Sequence, residues 1–230
     1  MHLREDIRQT VKWTQSLGEE VANSISHGVG LLGALVGAPI LVAAAIDRGS
    51  TYFVVGSAVY AATMFLLYLG STLYHAWPQT RIKAFLQVVD HSAIFLLIAG
   101  TYTPFALCPL RGVIGWTVLV IVWALAIAGV FMKATKGVLH RPRLMLGLYL
   151  GMGWLVLAVI RPLAAAVPPS TIVWLAAGGV IYTLGIVFFV REHVRYNHLI
   201  WHLFVLGGTV CHYVAVLTYA SAAAPVVATY

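Results

Sequence analysis

Charge is what this sequence has least of. Only 9% of its 230 residues are Asp, Glu, Lys or Arg, while 61% are hydrophobic. An average soluble domain is about 25% charged. So few charges cannot cover a water-soluble globule of this size, and lipid must cover most of the outside. Acidic residues are scarcest, seven against fourteen basic ones, for a formal net charge of +7. The cations sit in short separators between apolar runs, not in a patch or along one helix, which excludes nucleic acid as a partner. Cysteine is nearly absent. Cys108 and Cys211 lie in or beside apolar runs, show no disulfide or CxxC pattern, and point to no redox compartment. There is no low-complexity segment, no convincing internal repeat and no stretch left over for a soluble domain.

What is present is a series of long apolar runs. Crossing a hydrocarbon core of about 30 Å takes about 20 residues of helix. Seven runs qualify, near Ile25–Ile46, Thr51–Ala76, Phe85–Cys108, Gly112–Met132, Leu144–Arg161, Thr171–Val190 and His198–Ala220. The spacing predicts an all-α integral membrane protein, a seven-transmembrane helix bundle. Ala164–Val167 could extend either the fifth or the sixth run. The acidic residues Glu5, Asp6, Glu19 and Glu20 before the first run argue against a cleaved signal peptide. The expected organisation is a short cytoplasmic head at 1–24, a seven-helix domain at 25–221 and a short external tail at 222–230.

Lys and Arg set the expected direction. Arg4, Arg8, Lys12, Arg81, Lys83, Lys133, Lys136, Arg141, Arg143, Arg191 and Arg195 fall on one side, eleven residues, and Arg48, Arg111 and Arg161 on the other. The positive-inside rule puts the N-terminus in the cytoplasm and the C-terminus outside. An odd number of spans is consistent with that result.

Ionisable groups inside a span are costly unless paired, hydrated or bound to metal. On this topology most of the polar side chains in the spans share one depth, near the cytoplasmic leaflet: His75 late in span two, Asp90 early in span three, His198 and His202 opening span seven, and Glu20, Asn23 and His27 near the start of span one, with His212 deeper in span seven. His198 and His202 are one helical turn apart and point the same way. With His75 they make a three-nitrogen set for Zn2+, which leaves a fourth position for water. Asp90 is placed to act on that water as base or acceptor, and Ser71 is four residues before His75 on the same face. Glu20, Asn23 and His27 share a face and either anchor an interfacial turn or line the entrance of the site. His91 and His212 read as packing residues. Gly28, Gly30, Gly33 and Gly37 form a small-residue stripe suited to helix contact, and Gly151 and Gly153 read likewise. Pro39 and Pro104 should kink spans one and three, with Thr101 and Thr103 near Pro104 to take up freed backbone groups.

The motifs Glu20-x2-Asn23-x3-His27, Ser71-x3-His75, Asp90 followed by Thr101-Tyr102-Thr103-Pro104, and His198-x3-His202, in this order, resemble the hemolysin III branch of the progestin and adipoQ receptor (PAQR) family. The resemblance spans nearly the whole chain and implies a compact bacterial-type member, multi-pass in the bacterial cell membrane. It implies zinc held by His75, His198 and His202, Asp90 acting on water at the metal, and Ser71 in support. Relatives of that family are associated with hydrolysis of ceramide-like amides. The expected function is therefore zinc-dependent hydrolysis of a membrane-lipid amide or ester. The alternatives are a non-catalytic homeostasis or sensor protein with structural zinc, and a pore-forming cytolysin. The animal receptors' long cytoplasmic N-terminal domain is lacking, which argues against hormone binding. The sequence names no protein partner and no oligomeric state.

Overall fold

The computed structural model describes residues 15–135, 142–191 and 194–222. Arg4, Arg8, Lys12, Lys136, Arg141, the histidines at 2, 140 and 193, and the tail from 223 onward lie outside the described residues. Among those described, every regular element is helical. Seven helices are long and apolar enough to cross a membrane.

The first helix, α1, runs Leu17–Asp47, starting well before the predicted Ile25. A capping box explains the early start. Ser16 Oγ accepts from Glu19 N at 3.4 Å, and Glu19 Oε2 accepts from Ser16 N at 2.8 Å. Helix α2 runs Thr51–Ala76, with Ser50 Oγ accepting from Phe53 N. Helix α3 runs Arg81–Leu107, so Lys83 stands in its first turn and not in a loop. Helix α4 covers Val113–Ala134.

Span five is composite. It comprises α5 (Pro142–Trp154), a 3-10 stretch (Leu155–Val159) and α6 (Ile160–Ala166), so Ala164 and its neighbours extend the fifth span. The break is satisfied from outside. Tyr102 on α3 donates its hydroxyl to Met152 O at 2.8 Å and accepts from Val156 N at 2.8 Å. Broken helix at membrane depth needs this kind of protein partner. Helix α7 covers Pro169–Phe189 and α8 covers Asn197–Ser221.

Helix α1 packs on α2, α2 on α3 and α3 on α4, while α7 packs on α8 and α8 returns to α1. Span five touches α3, α4 and α7 only lightly. At the end of the bundle away from His75, Arg48 after α1 donates to the backbone oxygens of Tyr219 and Ala222 and lies over the Tyr219 ring, 3.8 Å from its centroid. It thereby ties the end of α1 to the last turn of α8.

The glycines separate into two groups. A Cβ at Gly56 would stand 2.5 Å from Pro104 Cα, so α2 and α3 meet backbone to backbone there. In the α1 stripe, Gly30 is closed by Tyr68 and Gly37 by Tyr213, whereas Gly33 has nothing within 4 Å. Gly151 and Gly153 also have open space, so they are not the contact positions predicted for them; they lie where span five is loosely packed. The threonines around Pro104 bond Leu97 O and Ala99 O, each at 2.8 Å. Neither takes the Gly100 oxygen that the proline frees.

Overpacking costs about 1–3 kcal/mol. Gly56→Leu is therefore expected to lower the thermal midpoint of the detergent-solubilised protein, with Gly33→Ala unchanged. A midpoint for Gly56→Leu equal to wild type would contradict the backbone contact between α2 and α3.

Candidate metal centre

Two helices deliver three imidazoles to one point. His75 comes from the last turn of α2, and His198 and His202 from the first turns of α8. All three are buried. One ligand nitrogen from each lies within 4.8 Å of the others, a group that could hold a metal ion. The ring centroids are 4.7 Å apart for His198 and His202, 4.9 Å for His75 and His202, and 5.1 Å for His75 and His198.

The donor chemistry fits a cation. His75 Nδ1 lies 2.8 Å from Glu20 Oε2. A carboxylate can only accept, so Nδ1 carries the hydrogen and Nε2 keeps its lone pair. That Nε2 is buried and has no hydrogen-bond partner. His202 is arranged the same way. Its Nδ1 lies 3.3 Å from Asn23 O and 3.1 Å from Ser26 Oγ. Ser26 donates its own hydrogen to Asn23 O at 2.8 Å, which leaves its oxygen to accept. Both nitrogens of His198 are buried without a hydrogen-bond partner. Buried imidazole nitrogens with no partner are costly, and a metal ion would take one nitrogen from each of the three rings. A carboxylate behind a ligating histidine is a common arrangement at zinc sites.

Glu20, Asn23 and His27 do not stand at an open mouth. All three are buried on α1 against the histidines. Glu20 holds His75, and Asn23 presents its backbone oxygen to His202 while its Nδ2 donates to Gln15 Oε1 at 2.8 Å. His27 stacks flat on His202, with centroids 3.6 Å apart and planes at 10°. It is not a member of the three-histidine group. The reason is register. Because α1 begins at Leu17, residues 20–27 are already inside the bundle.

Asp90 is buried on α3 with His75 and Ser71 as neighbours. It too lies outside the three-histidine group. Ser71 Oγ is buried and makes no hydrogen bond within contact distance. Lys83, which could have paired with Asp90, stands 2.8 Å from Glu20 Oε1 instead. His212 bonds Leu175 O at 3.3 Å, and the backbone oxygen of His91 accepts from the Tyr149 hydroxyl at 2.9 Å.

Two residues outside the predicted set shape the centre. Ser26 orients His202. Glu19 accepts from Tyr196 N at 2.8 Å, and Tyr196, at φ 60°, is the residue from which α8 starts. The Ser16-x2-Glu19 capping box was the available signal for Glu19, whereas nothing local marks Ser26.

One turn deeper, between α3, span five, α7 and α8, lies an apolar cavity of about 210 Å³. Leu67 and Ile94, one turn from Ser71 and Asp90, line it, as do Trp201 and Val205 beside His202. Trp154 and Gly179 line it from span five and α7.

Comparison with known proteins agrees with this architecture. The family described as Haemolysin-III related matches residues 15–213. "Hemolysin-3" of Bacillus cereus is 43% identical over 90% of this chain and 94% of its own length. "Hemolysin-3 homolog" of Bacillus subtilis (strain 168) is 40% identical over 89% of this chain and 95% of its own. "Monocyte to macrophage differentiation factor" of Homo sapiens is 28% identical over 87% of this chain and 84% of its own, a more distant relative of the PAQR type. No solved structure matches the chain. Seven membrane-length apolar helices and bacterial relatives aligned over nearly their full lengths make this a multi-pass bacterial membrane protein. By these matches, and with His75, His198 and His202 gathered at one end of a seven-helix bundle, the chain belongs to the Haemolysin-III related family.

Proposed function

We propose that His75, His198 and His202 hold Zn2+ and that the centre hydrolyses an amide or ester bond of a ceramide-like membrane lipid. The observation that carries the reading is the convergence of three buried nitrogen ligands beside a buried carboxylate, one turn above an apolar cavity. Three protein ligands is the number usual at catalytic zinc. Zinc bound there supplies Lewis-acid chemistry and activates water as a nucleophile near neutral pH.

The chain's own groups account for the rest. Asp90, beside His75 and Ser71, takes the proton of the attacking water and returns it to the leaving amine or alcohol. The Ser71 hydroxyl, otherwise without a hydrogen-bond partner, orients Asp90 or the reacting carbonyl. The cavity takes the acyl chain, whose burial there removes apolar surface from water at about 25 cal/mol per Å². With the orientation that the charge bias predicts, the scissile bond sits at inner-leaflet depth, where a lipid can enter sideways.

His202→Ala is expected to lose stoichiometric zinc, by elemental analysis of purified protein, together with turnover of a ceramide-like substrate. Turnover unchanged in the zinc-free variant would refute the hydrolase reading. Asp90→Asn should keep its zinc and lose turnover by about 100-fold or more, a typical contribution of general acid–base catalysis. Equal loss of zinc would make Asp90 a ligand and favour a structural centre. Gly179→Leu places a side chain into the cavity beside Trp154. It should raise KM for long-chain substrates more than for short-chain ones at unchanged zinc content.

A further inference from the structure

Lys83 stands where its surroundings in sequence would not put it. It belongs to the cations between the second and third apolar runs, where a lysine ordinarily reaches outward to headgroups. Its side chain is instead 1% exposed. Nζ lies 2.8 Å from Glu20 Oε1, donates to Trp77 O at 3.3 Å, and stands 4.9 Å from the centroid of the Tyr74 ring. A buried ammonium is costly unless it is paired, and Glu20 is its carboxylate. The other oxygen of that carboxylate, Oε2, accepts from His75 Nδ1 at 2.8 Å. Glu20 thus divides its two oxygens between a lysine on α3 and a histidine on α2, and its side chain cannot turn without breaking one of these contacts.

We infer that Lys83 is a positioning residue of the metal centre: by holding Glu20 Oε1 it aims Oε2 at His75 Nδ1, so that His75 presents Nε2 to the other two histidines. The inference rests on the metal reading above. A glutamate side chain left to itself samples several staggered rotamers. Anchoring one oxygen leaves the second a single direction, and the ammonium balances the carboxylate charge beside three imidazoles. Trp77 O and the Tyr74 ring close the pocket around Nζ, so the anchor is assembled from α2, the turn after it, and the first turn of α3. Lys83 acts on the metal centre through Glu20.

The test is a double-mutant cycle on zinc affinity. It uses the full chain in detergent, with a chromophoric chelator as competitor. Lys83→Met and Glu20→Gln should each weaken zinc binding by about 10–100-fold, the range for partners of ligating histidines. The double variant should bind no more weakly than Glu20→Gln, because the effect of Lys83 is carried by Glu20. Cobalt(II) in place of zinc should show shifted visible absorption in Lys83→Met. Wild-type affinity in Lys83→Met, or losses that multiply in the double variant, would overturn the inference. If Lys83→Met does not fold, Lys83→Gln takes its place in the cycle, where multiplying losses overturn the inference equally. A wild-type protein that binds no zinc would remove the metal reading and this inference together. Zinc binding unaffected by Lys83→Met would remove this inference alone.

Discussion

An imidazole presents one ring nitrogen to a ligand only as firmly as its other nitrogen is held, and in this bundle α1 does most of the holding. Glu20 fixes His75, while Asn23 O and Ser26 fix His202. His27 lies flat against the same ring. None of these α1 residues belongs to the three-histidine group, yet their contacts decide which nitrogens face inward. The early start of α1 at Leu17, set by the Ser16–Glu19 capping box, is what brings residues 20–27 to that depth.

The same first turn also places the other half of the site. Glu19 accepts from Tyr196 N at the point where α8 begins. At the far end of the bundle, Arg48 caps the last turn of α8 from the end of α1. Helices α1 and α8 are therefore tied at both ends, and the His198–His202 turn is held in register with Glu20 and Asn23. Polar groups this deep cannot turn to water for partners, so each hydrogen bond fixes a rotamer as well as satisfying an atom. Span five is held differently. It packs lightly, breaks into a 3-10 stretch, and leans on one tyrosine hydroxyl. The cavity lies beside that loosely packed span, so the bundle is tightly tied at the three histidines and open at the cavity.

The seven runs were legible because the membrane imposes a length and an apolar composition that no other environment requires, and α2 from Thr51 to Ala76 coincides with its predicted run. The ends of α1 and α3 were less legible. Hydropathy discounts Glu19, Glu20, Arg81 and Lys83 as flanking charges, whereas in the folded chain they are helical, and Glu20 and Lys83 neutralise each other inside the bundle. The common depth of His75, Asp90, His198 and His202 followed from span order. The role of Glu20 did not follow, because it depends on which rotamer meets which histidine across two helices.

Composition and the order of apolar runs determined by themselves that this is a seven-span membrane protein with most of its intramembrane ionisable side chains at one end, since hydrocarbon tolerates few other arrangements. Only the tertiary structure decided that Glu20 stands behind His75, that Lys83 turns inward to Glu20, and that Asp90 lies beside the histidines without joining their group. Those are outcomes of side-chain packing between helices distant in sequence, and the separation of α1 from α8 along the chain carries no trace of how their rings and carbonyls meet.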